Sequence, residues 1–150
     1  MKRIVAMMTL AAAAATPLAA QAQFAKPEDA VKYRKSAFSV MGTHFGRIGA
    51  VVKGERPYDK AAVELDAAAV EFMSKLPWQA FGPGTDAGET KAKPEIWKEQ
   101  DKFRAAADKM TAEVSKLSAA ARSGDQAMLK AAFGNAAQSC KACHDNYRNK

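Results

Sequence analysis

Both cysteines of the chain, and one of its two histidines, fall within five consecutive positions of Ser139-Cys140-Lys141-Ala142-Cys143-His144-Asp145. Two thiols and an imidazole held so close together have few uses. They can close a disulfide, work as a redox dithiol, join a zinc site, or attach a haem through two thioether bonds while the histidine reaches the iron. Cys140 and Cys143 are three residues apart, so on a helix they share a face, with His144 one turn beyond Cys140 at the edge of that face.

The four chemistries separate on spacing. A disulfide over so short a loop constrains the unfolded chain little. A thioredoxin-like pair opens a helix after a strand, where the helix N-terminus lowers a thiol pKa, whereas this pair closes a helix in a chain with no strand pattern. Zinc wants four ligands, and the only other histidine is His44. The order Cys-x-x-Cys-His is that of c-type haem attachment, and it implies one covalently attached haem c per chain, with Cys140 and Cys143 as the thioether donors and His144 as the iron ligand.

Four helical stripes must position these groups. Pro27, Glu28 and Asp29 suit a first turn, and after them Val31, Phe38, Met41, Phe45, Ile48 and Val52 recur at helical spacing until Lys53-Gly54. A second stripe runs Tyr58, Ala62, Leu65, Ala69, Phe72 and Leu76 and stops at Pro77. A third follows Pro94 through Ile96, Phe103, Ala107, Met110, Val114, Leu117 and Ala121. The fourth opens on Asp125 and carries Leu129, Phe133, Ala136, Cys140, Cys143 and Tyr147. Four amphipathic stripes of similar length predict an all-α fold, an antiparallel up-down four-helix bundle with the haem near the C-terminal helix. The connection from Pro77 to Pro94 is long for a bundle loop, and Trp78 and Phe81 are expected to fold inward as its apolar plug.

The N-terminus sets the compartment. Met1-Lys2-Arg3, the apolar run from Ile4 to Leu18 and Ala20-Gln21-Ala22 read as a secretory signal peptide cleaved after Ala22, which makes the mature protein periplasmic. Residues 1–22 are therefore the expected leader and residues 23–150 the domain; the apolar run is shorter than the roughly 20 residues a membrane span needs, so no membrane anchor is expected in the mature form. Without Lys2 and Arg3 the chain keeps 21 basic residues against 16 acidic ones, about +5, with no basic run or interleaved aromatics that would suggest nucleic acid. A weak preference for acidic protein partners is consistent with that excess.

Over its whole mature length the chain resembles the cytochromes c prime, the class II c-type cytochromes. The resemblance rests on Cys140-Lys141-Ala142-Cys143-His144-Asp145-Asn146-Tyr147-Arg148, on Trp78-Gln79-Ala80-Phe81-Gly82-Pro83-Gly84-Thr85, and on the opening from Phe24 to Arg34. It implies that Phe38 stands where an apolar residue, often leucine, packs over the iron on the side away from His144. Phenylalanine is bulkier, so carbon monoxide and dioxygen are expected to bind weakly while nitric oxide still enters. Low-spin relatives use a methionine on this helix as a sixth ligand, which makes Met41 the alternative; as a seam residue it is otherwise core packing. The resemblance also sets a basic residue, here Arg148, beside the proximal imidazole, and Arg34 is expected at the pocket rim near a haem propionate. His44 is expected to be structural or solvated and Tyr147 to be core.

Members of that family commonly pair through their first helices. Ser39, Gly42, Gly46 and Gly49 form a narrow stripe that would suit a homodimer, or equally close packing inside one chain. The reading that results is a haem protein binding nitric oxide or carbon monoxide and exchanging single electrons with an unidentified periplasmic redox partner, rather than an enzyme. The alternative is a low-spin electron carrier with Met41 on the iron. A peroxidase would want a distal histidine or arginine as acid and base, and an apolar Phe38 argues against one.

Overall fold

The structure, a computed structural model, describes residues 23–150; the expected leader and its cleavage after Ala22 lie outside the described residues. Pro27 starts the first helix where its missing N–H is no loss, and Glu28 and Asp29 complement the helix dipole there. The chain then forms α1 (Pro27–Val52), α2 (Lys60–Met73), a 3-10 turn (Pro77–Ala80), a single-turn α3 (Glu95–Lys98), α4 (Gln100–Ser123) and α5 (Gln126–Tyr147). Helix α1 packs on α2 and α5, and α4 packs on the same two, which closes the expected up-down four-helix bundle. The one extended pairing among the described residues is an isolated antiparallel bridge between Ala92 and Arg148.

Turn chemistry fixes the helix ends. Asp59 caps α2 by accepting from the Ala62 N–H at 3.2 Å, and Asp125 caps α5 by accepting from Ala127 at 2.8 Å and Met128 at 3.0 Å. Gly124, with φ +76°, takes the left-handed conformation that ends α4. The bundle then closes on a core of Ile48, Val63, Val70, Val114, Leu117 and Leu129.

Two expectations fail, one in the alanine-rich α2 and one at the start of the third stripe. The second stripe is out of phase: Leu65 and Phe72 are 69% and 64% exposed, and α2 instead buries Val63, Ala67 and Val70. With alanine at 61, 62, 67, 68 and 69, this helix is apolar on every side, and large residues alone mispredict which side faces in. Buried Asp66 supports the observed phase, because it lies 2.7 Å from His44 Nδ1 and 3.4 Å from Arg47 Nη1 on α1. The third stripe, read as one helix from Ile96, is broken at Glu99, whose φ −124° and ψ +47° separate α3 from α4. The seven-residue step from Ile96 to Phe103 hides the break, since both side chains remain buried.

The glycine stripe divides. At Gly49 an added Cβ would stand 3.0 Å from the Phe133 ring, so this position serves contact within the chain; Gly42 and Gly46 face open space. Helices α2 and α4 are joined by Glu71, which accepts from the Ser115 hydroxyl at 2.9 Å and lies 3.7 Å from Arg122. Hydrogen bonding to the Ser118 hydroxyl, above all, holds the Glu71 carboxyl below its usual range. A depressed folded-state pKa adds stability above the unfolded value of roughly 4.3 and loses it as pH falls through the folded value. Thermal melting of Glu71→Gln should show a lower midpoint than the parent at pH 7 and a shrinking difference below about pH 4.

Candidate functional site

Near the end of the bundle where α5 finishes, the helices leave a cavity of about 820 Å³. Two hydrophobic clusters border it. One is the main bundle core, against which Met41, Phe45 and Cys140 pack; the other is Ile96, Phe103 and Tyr147 with Trp78, Phe81, Trp97 and Cys143 around them. The two cysteines thus sit on different apolar bodies, three residues apart on one helix.

Both sulfurs are free thiols. Burial raises the pKa of Cys140, and burial together with neighbouring Cys140 pushes Cys143 up to about 11. A redox dithiol needs a lowered thiol pKa, so this environment speaks against that chemistry. His144 lines the cavity from its edge, where burial and then Arg148 lower its pKa, with Asp145 acting the other way. At neutral pH the ring is therefore held as imidazole, the form that binds a metal.

The α1 wall supplies Phe38 and Met41 as expected from the first stripe. Phe38 meets Trp78 edge to face at 5.7 Å and Phe81 at 6.4 Å, so the plug residues of the long connection do fold inward. Phe81 also packs on Phe103 at 4.9 Å, and Phe103 on Tyr147 at 5.2 Å, which makes Tyr147 core. His44 is not among the cavity residues, being turned to Asp66. Arg148 is exposed at the rim.

Arg34 lines the cavity, but from a buried position and not as an exposed rim residue. It is 2% exposed and lies under the long connection. Its Nη1 donates to the Ala80 carbonyl at 2.8 Å and to Thr85 Oγ1 at 3.2 Å. Its Nη2 donates to the Thr85 carbonyl at 2.9 Å and to Thr90 Oγ1 at 3.0 Å. The guanidinium lies 4.4 Å from the Phe81 ring centre and 5.5 Å from that of Trp97. No carboxylate among the described residues forms an ion pair with it, and burial lowers its pKa against the opposing effect of Asp86. The charged head folds back into the loop as well as lining the cavity, and its helical stripe carries no sign of that.

Thr85, Thr90 and Trp97 were not found by sequence reasoning. Their available signal was the length of the connection itself: two threonines beside Gly84 and Gly88 in a segment too long to be a simple turn. The Trp97 indole donates to the Gly82 carbonyl at 2.9 Å and holds the connection from its other side.

An all-α bundle with a Cys-x-x-Cys-His segment facing an apolar cavity defines the class of helical c-type cytochromes. Residues 29–148 match the family described as Cytochrome C′, and the chain belongs to that family. It is 52% identical over 128 residues to the cytochrome c′ of Alcaligenes xylosoxydans xylosoxydans, covering 85% of this chain and 99% of that one. It is 49% identical over 129 residues to the cytochrome c′ of Rubrivivax gelatinosus, covering 85% and 100%. Among solved structures, Rubrivivax gelatinosus cytochrome c′ superposes with a TM-score of 0.83 at 48% identity, covering 85% of this chain and 100% of that chain. A nitric oxide complex of a leucine-to-alanine variant of Alcaligenes xylosoxidans cytochrome c prime superposes with a TM-score of 0.81 at 52% identity, covering 85% and 99%. The up-down bundle is an architecture for which cytochromes c′ are a standard example.

Membership implies a covalently bound c-type haem. The residues present fit one: two free thiols and an imidazole border a largely apolar cavity of about 820 Å³, within the range of cofactor sites. The loop that covers the cavity depends on Arg34. Replacing Arg34 with methionine leaves four oxygens without their donor and should cost roughly 3 kcal/mol or more, because buried acceptors lose their partner. Thermal melting of the holoprotein, together with limited proteolysis between residues 82 and 92, measures both the loss and the release of the loop.

Proposed function

We propose that this chain is an exported periplasmic cytochrome c′ that carries one haem c, joined to Cys140 and Cys143 and ligated by His144. It binds small gaseous ligands on the iron, nitric oxide above all and carbon monoxide more weakly, and exchanges single electrons with a periplasmic redox partner. The observation that carries this reading is the cavity itself, with both thiols and the imidazole at its α5 side and an apolar α1 wall. Bound in this cavity, haem supplies a redox-active iron with a position for a diatomic ligand.

The protein's own residues prepare for that ligand. Cys140 and Cys143 hold the cofactor's orientation, and His144 is presented as the neutral ring that iron needs. Phe38 has no atom that ligates iron, and its ring, propped by Trp78 and Phe81, narrows the approach. Met41 packs against the main core, which favours a packing role for it over ligation. Among the described residues the Arg34 Nε–H has no protein acceptor, and the side chain lines the cavity, so it suits a haem carboxylate. Arg148 borders the imidazole side. The reading is of binding and electron exchange without catalytic turnover: His44 is committed to Asp66 and Arg34 to its loop, so neither α1 base serves as a peroxidase acid or base.

The relative in the solved nitric oxide complex binds that gas, and identity of 52% with it supports the same ligand here. Protein matured with haem-attachment machinery should show five-coordinate high-spin iron by absorption and resonance Raman spectroscopy, and should respond to nitric oxide. A low-spin spectrum that Met41→Ala converts to high spin would instead make Met41 the sixth ligand and the protein an electron carrier.

We also propose a homodimer through α1. Val40 on α1 and Leu65 and Phe72 on α2 are the exposed large apolar side chains on those two helices. Sedimentation of Val40→Asp should show monomer where the parent shows dimer; a dimer that survives the charge sinks this interface.

A further inference from the structure

The cavity is not sealed, and what rims it is predominantly cationic. Lys35, Lys91 and Arg148 are exposed among its lining residues, and Glu89 is the only acidic one there. None of the three cations forms an ion pair among the described residues. Of the acids beside the lining, Asp86 acts on the buried Arg34, and Asp145 is already paired with Lys141, while its backbone carbonyl accepts from Lys93 Nζ at 2.8 Å.

These charges sit on fixed backbone. The Ala92–Arg148 bridge is flanked by Lys93 N–H donating to the Tyr147 carbonyl at 3.0 Å and Asn149 N–H donating to the Lys91 carbonyl at 2.8 Å. Lys35 reaches across from α1 to donate to the Glu89 carbonyl at 3.1 Å. Three separate segments therefore present one positive collar. At the other end of the bundle Lys53, Arg56, Lys60, Arg122 and Lys130 stand against Glu55, Asp59, Glu64 and Asp125, an excess of one, against three for Lys35, Lys91, Lys93 and Arg148 with Glu89 at the collar. The excess of positive charge is thus placed rather than spread.

Haem carboxylates do not use it up. Arg34, Lys35, Lys91 and Arg148 outnumber Glu89 and the two carboxylates of a haem, and Lys93 stands just outside. A positive ring around an opening steers negatively charged partners to it and speeds encounter by about 10 to 1,000-fold at low salt.

We propose that this collar is the docking face for the acidic surface of a soluble one-electron redox protein. Docking there would set the partner beside the cavity mouth, where a haem held by Cys140, Cys143 and His144 would supply one electron to the oxidised partner, with no atom or proton transferred. The proposal rests on the haem-protein reading above.

The test uses the holoprotein, with poly-L-glutamate as the acidic probe, calorimetry as the readout, and low ionic strength. A triple variant, Lys35→Glu, Lys91→Glu and Lys93→Glu, is compared with Lys53→Glu, Arg56→Glu and Lys130→Glu, which changes net charge equally at the far end. The collar variant should lose at least about tenfold in affinity and the far-end variant much less, since a placed charge rather than the total governs docking. Oxidation of the ferrous protein by hexacyanoferrate(III) should slow in the same variant only. Equal losses in both variants, or no binding by the parent, overturn the proposal. Sedimentation with phosphatidylglycerol vesicles in preference to poly-glutamate also overturns it, in favour of a membrane surface. A holoprotein that ignores nitric oxide refutes the open-site reading and leaves the calorimetric comparison standing.

Discussion

A buried guanidinium organises the cavity end of this molecule. Arg34 reaches from α1 into a loop with no regular structure over most of its length and bonds two backbone carbonyls and two threonine hydroxyls in it. A loop of that length has a large ordering entropy to overcome, and its own contacts are few. One cation with four acceptors and two aromatic faces supplies much of what holds it. Once the loop is held, Phe81 and Trp78 are brought against Phe38 and Phe103, and the cavity has a wall on the side where the bundle has no helix. An ion pair would have tied the arginine to a single carboxylate. Neutral acceptors spread over eleven residues of loop, from Ala80 to Thr90, fix a whole segment instead.

The chemistry of the site was legible because it is local. Cys140, Cys143 and His144 owe their arrangement to helical spacing alone, and no distant residue is needed to read it. The stripes of α1, α4 and α5 were legible for a similar reason: large apolar residues stand out against charged ones and set the phase. In α2 that contrast fails. Alanine covers its surface, and the phase is decided by a buried carboxylate, Asp66, whose partners lie on another helix. A polar residue is buried only where something far off in sequence answers it, and short-range patterning cannot show the answer. Arg34 is the same case in stronger form, with partners 46 to 56 residues away. The break at Glu99 was hidden because no glycine or proline marks it and both flanking side chains stay on their stripe.

The family relationship and the physical reading support one another at different resolutions. Identity of 52% with a curated cytochrome c′ identifies the family. The particulars belong to this chain: a phenylalanine on the α1 wall, a basic collar, and a histidine on α1 that is bound to α2 and not to the cavity. Such residues lie apart from Ile48, Val63 and Leu117, whose packing the fold needs.

Cys140 packs on the main core, whereas Cys143 packs on the aromatic cluster beneath the long connection. A group joined to both sulfurs therefore rivets two bodies that otherwise meet around a hollow. The main core has all four bundle helices to hold it, but the aromatic cluster has a loop, one turn of α3 and the ends of two helices. A polypeptide that never received its cofactor would keep its strong half and present its weak half to any protease in the compartment, since cleavage follows the segments that open most readily. Attachment at both sulfurs would then set completed molecules apart from incomplete ones by their resistance to cleavage.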